Sequence, residues 1–166
     1  TSSDEFTVDD ARWLDEHLGA EPARPTVIAI HQPPFETGIW WMDCVGLRGG
    51  DRFEAVVRRH PQVFHVMSGH VHRPITTAWA GCLLTVCPSS AVLVAGDLDP
   101  AHDPSETAEP PMIAVHAYVG DTVVSHAVSV GAAGVRASIS ERAPEFVAWA
   151  RGVQATRHSS FGPAPT

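Results

Sequence analysis

Apolar and polar positions alternate along the chain with two periods, and the change between them marks out the elements. Val8, Ala11, Leu14 and Leu18 recur at helical spacing behind Thr7, an N-cap residue, with Asp9 and Asp10 in the first turn and Gly19 as the stop. They predict a helix with one buried face. After a Pro-bounded loop, Thr26 to Ile30 is short, β-branched and free of polar interruptions, which predicts a fully buried strand. His31 to Gly50 is long and rich in Pro, Gly and aromatic residues, so it reads as a functional loop.

A second helix follows, with Asp51 as its cap, Phe53, Val56 and Val57 as its stripe, and His60-Pro61 as its end. Val63 to Met67 predicts another buried strand. Ile75 to Trp79 and Cys82 to Val86 flank Ala80-Gly81 as a hairpin, and Ala95 to Pro111 reads as a mobile surface loop. Ile113 to Val119 and Thr122 to Val128 flank Gly120-Asp121, a pair suited to a type II′ turn. Pro144 can open a short helix carrying Phe146, Trp149, Ala150 and Val153 on one side, and the end from Phe161 reads as frayed.

These elements make an α/β protein with a mixed sheet and a terminal hairpin. At 166 residues and 44% apolar the chain holds one core. The expected division is a main unit at 1–130 and an extension at 131–166 with a short helix and a flexible end. The net charge of −8 would repel a phosphate backbone, which argues against nucleic acid as a partner. All eleven basic residues are Arg, and Asn is absent. Cys44, Cys82 and Cys87 form no C-x-x-C pair, so reduced thiols in a cytoplasmic setting are expected, with a Cys82–Cys87 bridge as the alternative. No signal peptide or membrane span is legible. The start at Thr1 rather than Met, within a turn or two of a helix, reads as a piece cut from something longer.

Chemistry concentrates in the histidines. His31 ends the first strand, and the second runs into Ser68-Gly69-His70-Val71-His72. Ligands collect at the carboxyl ends of strands in α/β sheets. His70 and His72 would share a face in an extended strand, or diverge toward two ions in a Gly-led turn. Either arrangement suits metal. The other seven histidines, His17, His60, His65, His102, His116, His126 and His158, read as surface or hydrogen-bonded residues.

In order, His31-Gln32-Pro33-Pro34, Trp41-Met42-Asp43 with Gly46-Leu47, His60-Pro61-Gln62-Val63 and Ser68-Gly69-His70-Val71-His72-Arg73-Pro74 resemble the calcineurin-like metallophosphoesterases. The resemblance runs from about Phe6 to Val130 and favours the class III cyclic-nucleotide phosphodiesterase and glycerophosphodiesterase branch. It implies a four-layer αββα sandwich and a centre of two metal ions, drawn from iron, manganese, cobalt and zinc. By resemblance His31 and His70 would bind one ion and His72 the other.

The family's remaining ligands come from an upstream D-x-H, a G-D aspartate that bridges the ions, and the Asn of a G-N-H-D/E element. The His of that last element assists as general acid or phosphate binder, so the catalytic acid is expected outside this chain. Asp15-Glu16-His17 falls in a helix, where residues two apart do not face each other. Gly50-Asp51, Gly96-Asp97 and Gly120-Asp121 read as a cap, a loop and a turn, and without Asn the last element cannot be present.

The chain is therefore expected to be the C-terminal half of such an enzyme, inactive alone. Its expected partners are a small phosphodiester, the N-terminal half or a second chain, and a second copy of itself. Trp40, Trp41, Asp43, Arg73, Ser89 and Ser90 are candidate substrate-facing residues; loop anchoring, turn capping and an ordinary salt bridge are equally natural readings for them. A non-catalytic interaction module and a mononuclear zinc hydrolase held by His31, His70 and His72 are the competing readings.

Overall fold

The computed structural model describes residues 5–131 and 139–160, in two compact units, Thr1–Gly131 and Ala132–Thr166. The expected frayed end from Phe161 lies outside the described residues. In the larger unit, α1 (Val8–Ala20) leads through a short loop into β1 (Thr26–Ala29). The long loop that follows carries a four-residue helix, α2 (Trp40–Asp43), and is succeeded by α3 (Gly50–Arg59) and β2 (Val63–Ser68). Next come β3 (Ile75–Trp79) and β4 (Cys82–Val86), the short pair β5 (Leu93–Val94) and β6 (Glu106–Thr107), and the hairpin β7 (Met112–Val119) with β8 (Thr122–Ser129).

Four strands form a mixed sheet in the order β1-β2-β4-β3, in which β1, β2 and β4 are parallel and β3 is antiparallel. Parallel neighbours in register share a face, so Ile28, Val66 and Leu84 lie together on one side, and Val27, His65 and Leu83 on the other. The first side receives the helices. Leu14 and Leu18 of α1 and Phe53, Val56 and Val57 of α3 join Val66, Leu84 and Val86 in a continuous core.

Three expectations need correction. β1 is half-open rather than fully buried, with Val27 41% exposed, because no described helix covers the second side of the sheet. Val8 is exposed: it sits in the first turn, beyond the part of α1 that packs, and the buried stripe begins farther along. The cap of α3 is Gly49 rather than Asp51, which lies inside the first turn. Gly49 has φ +78°, and a β-carbon there would collide with the Phe6 carbonyl oxygen, so neither the backbone nor the space admits a larger residue.

A fourth correction falls in 95–111, expected as a loop: β6 lies within it and pairs with β5. The Thr7 cap and the two hairpin turns lie where the sequence places them. Thr7 caps α1 through a reciprocal box: its Oγ1 accepts from Asp10 N at 3.1 Å and its own N donates to Asp10 Oδ2 at 2.8 Å. Thr7→Ala is expected to cost about 1 kcal/mol, read as a lower midpoint in urea with an unchanged slope. Ala80 and Gly81 both take positive φ, the requirement of a type I′ turn, and Gly120 alone does so in the second hairpin, as type II′ demands. The cysteines are free thiols, with Cys82 buried.

The smaller unit contains α4 (Ile139–Arg142) and α5 (Pro144–Ser160). Pro144 opens α5 as the sequence predicts, but Phe146 and Trp149 are exposed, with ring centroids 5.8 Å apart. None of the described helices is long and apolar enough to cross a membrane.

Candidate metal and phosphodiester site

Each parallel strand ends where chemistry begins. Ile30 N donates to Met67 O at 2.9 Å, and Gly69 N then donates to His31 O at 2.8 Å, so the β-ladder is prolonged one step past both strands. Cys87 N donates to Ser68 O at 2.7 Å and ties the end of β4 to the same edge. These bonds bring His31 and His70, thirty-nine positions apart in sequence, into edge-to-face contact with ring centroids 5.3 Å apart.

The Gly69–His72 turn is where the backbone is strained. His70 has φ +67° and His72 +56°, left-handed conformations that cost a non-glycine residue roughly 1–2 kcal/mol each. Val71 between them is buried, and its N donates to Gly69 O at 2.7 Å. Burying Val71 anchors the turn, so one imidazole faces the His31 edge with a buried Nε2 while His72 remains exposed. Of the two arrangements open to the pair, the turn that parts them is the one adopted. Strain of this kind at a cleft is a pointer to function.

Beside His31 lies a shallow cavity of about 400 Å³ lined by Ala29, Ile30, Met67, Ser68, Gly69 and Cys87. Cys87 was not legible as a pocket residue; its position at the end of a strand parallel to β1 and β2 is the signal that places it there. Among the described residues no three His, Cys, Asp or Glu side chains converge on a point where an ion would sit. Imidazole is an apt ligand for zinc or iron, so the chemistry of His31 and His70 would fit part of a metal centre.

The candidate substrate residues are mostly engaged elsewhere. Asp43 organises its own loop, accepting from Thr37 N and Thr37 Oγ1 at 2.8 Å on Oδ1 and from Gly38 N at 2.9 Å on Oδ2. Arg73 donates to Val94 O at 2.9 Å and to Glu109 at 3.3 Å, so it clamps the β5–β6 pair to the turn. Ser89 Oγ accepts from Ala91 N at 3.1 Å and Val92 N at 3.3 Å as a turn cap, and Ser90 is exposed. Trp41 packs against the core, and Trp40 is partly exposed on α2. None of these contacts brings the six onto the His31–His70 edge.

A second histidine cluster is structural. His60 Nε2 lies 2.8 Å from Asp15 Oδ1, which also accepts from Arg59 at 2.9 Å, and these bonds join α1 to the end of α3. They hold the Asp15 carboxyl below its usual pKa. His17, by contrast, lies against Trp13 O at 2.7 Å, so Asp15 and His17 do not meet as a ligand pair.

No family model matches the chain. Individual proteins do. It is 33% identical over 118 residues to a probable cyclic nucleotide phosphodiesterase of Rhodopseudomonas palustris, covering 70% of this chain and 43% of the relative. It is 30% identical over 121 residues to a probable glycerophosphodiester phosphodiesterase, GpdQ, of Arcobacter nitrofigilis, covering 72% and 44%. To the 3′,5′-cyclic adenosine monophosphate phosphodiesterase CpdA of Escherichia coli it is 31% identical over 80 residues, covering 48% and 29%. The chain thus spans less than half the length of these relatives. Several cyclic-nucleotide and glycerophosphodiester phosphodiesterases thus match the same chain, and this similarity agrees with its resemblance to the metallophosphoesterases.

Proposed function

We propose that this chain is the C-terminal half of a metal-dependent phosphodiesterase and supplies one side of a two-metal centre. The observation that carries the reading is the meeting of His31 and His70 at the carboxyl edge of the sheet, beside a turn strained at both His70 and His72. The relatives' names add the substrate class, a small phosphodiester such as a cyclic nucleotide or a glycerophosphodiester. In this reading His31 and His70 hold one ion and His72 the other. The side of the sheet that bears Val27, on which β7 rests through Tyr118 and His116, would pack further against strands contributed by the other half, giving the αββα layering.

When bound, a pair of ions supplies a hydroxide at neutral pH and neutralises charge on the phosphate. The work of this chain's own residues is orientation. The Gly69 N–H to His31 O bond fixes the spacing of the two strand ends, and buried Val71 fixes the turn. Asp43 and Arg73 act indirectly, holding the loops that rim the site.

The test is metal content and turnover of this chain beside the protein lengthened at its N-terminus. Two ions per molecule and hydrolysis of bis(p-nitrophenyl) phosphate are expected only for the longer form, with at most weak metal uptake by the shorter one. Tight binding of one zinc by the isolated chain together with hydrolysis would refute the half-site reading and favour a mononuclear hydrolase.

A further inference from the structure

Among the described residues the β7–β8 hairpin makes its ladder only with itself and joins neither of the other sheets. A lone two-stranded hairpin is marginally stable in water, so its order depends on what it rests against. Its inner face meets the open side of the main sheet at two ring contacts. Tyr118 lies on Phe64 with centroids 5.8 Å apart, and His116 lies edge-on to His65 at 4.9 Å. A register shift between Thr26 and Val27 leaves Phe64 as an extra residue in β2, and Phe64 and His65 both face the hairpin. Around these pairs is a cavity of about 630 Å³, bounded also by Arg24, Val27 and Met67.

We propose that the His65–His116 contact is a pH-sensitive latch that holds the hairpin on the sheet at neutral pH and releases it in acid. The charges around it make the case. His65 is 1% exposed and its Nε2 lies 2.9 Å from Thr85 Oγ1; His116 Nδ1 lies 2.8 Å from Ser125 Oγ, its cross-strand partner. Both partners are neutral hydroxyls. The other groups lining the cavity are Arg24, whose guanidinium pairs with Glu21 at 3.0 Å, and Tyr118, with apolar side chains for the rest. Among the described residues no carboxylate lines it, and His126 sits on the opposite face of the hairpin, in register with Val115. A proton gained by either imidazole would therefore meet a second imidazole, and the carboxylate beside Arg24, that of Glu21, is already paired with it.

Burial holds both imidazoles below their ordinary value of 6.5, and at His65 the charge of His116 adds to the effect. The sign follows. A histidine with a depressed folded-state pKa contributes stability that is complete above 6.5 and lost as the pH falls from there through the folded value. The loss falls on the contact that the proton disrupts. Because the main core lies on the other side of the sheet, the hairpin can leave while that core stays folded.

Tyr118 is the sole tyrosine, so 3-fluorotyrosine gives a single ¹⁹F reporter on the hairpin. Between pH 7.5 and 5 its resonance is expected to lose the shift imposed by the Phe64 ring, with a midpoint below 6.5, in step with titration of two histidine ring signals. Over that range hairpin amides, corrected for intrinsic exchange, should exchange about tenfold faster or more, while β2 and β4 keep their protection. The double variant His65→Phe/His116→Phe keeps both rings without a titrating group at the contact and should hold the latch closed to pH 5, while His116→Phe alone should still release through His65. A wild-type hairpin indifferent to pH, release out of step with the imidazoles, or the same acid release in the double variant would each overturn the latch.

Discussion

Replacing His70 by glycine is expected to abolish phosphodiester hydrolysis in the complete enzyme while leaving the melting temperature unchanged or raised. Histidine at φ +67° pays a backbone penalty that glycine does not. What the histidine supplies in return is a ring nitrogen at the strand-end edge, in contact with His31. Residues that only orient a metal ligand cost roughly 10–100-fold when removed, so loss of a ligand itself should cost on the order of a thousandfold in kcat/KM. At 1.36 kcal/mol per decade that is about 4 kcal/mol of transition-state stabilisation. Metal content measured beside kcat/KM and Tm separates the cases: activity and metal both retained in a stable His70→Gly enzyme would remove this residue from the centre. Arg73→Gln is a useful contrast, because its guanidinium clamps β5 and β6 and its loss should register in stability before chemistry.

The largest stability effect is expected at Phe53. It is 1% exposed on α3, meets Phe6 edge-on at 5.1 Å and stacks on Trp79 at 5.4 Å. One ring therefore joins the N-terminal segment, a helix and the antiparallel strand of the sheet. Phe53→Ala removes the transfer free energy of the ring and leaves a cavity that three separate elements cannot easily collapse around, so a loss of about 3–5 kcal/mol is expected. Chemical denaturation with coincident circular dichroism and fluorescence transitions would measure it. A cost under about 1 kcal/mol would mean that the core repacks freely around this position, as surface substitutions do.

Much of the fold was legible because it rests on local rules. The N-cap at Thr7, the Ile75–Trp79 and Cys82–Val86 hairpin, and the Gly120-Asp121 turn each depend on residues within a few positions of one another. The errors came from contacts between distant segments. Gly49 rather than Asp51 starts α3 because the Phe6 carbonyl crosses there, and β1 is half-open because burial depends on what lies across the sheet. For Asp43 and Arg73 the sequence left a ligand and a loop contact equally open, and only the closed loops show the partners Thr37, Gly38, Val94 and Glu109.

The sequence by itself determined what this protein resembles: two short apolar runs each deliver histidines, in an order shared with the phosphodiesterases it matches. That information is carried by residue types and spacing. Only the tertiary structure decided that His31 meets His70, that the turn parts His70 from His72 by burying Val71, and that His65 and His116 touch. Each depends on strand register and side-chain burial across tens of residues, which a one-dimensional pattern leaves open.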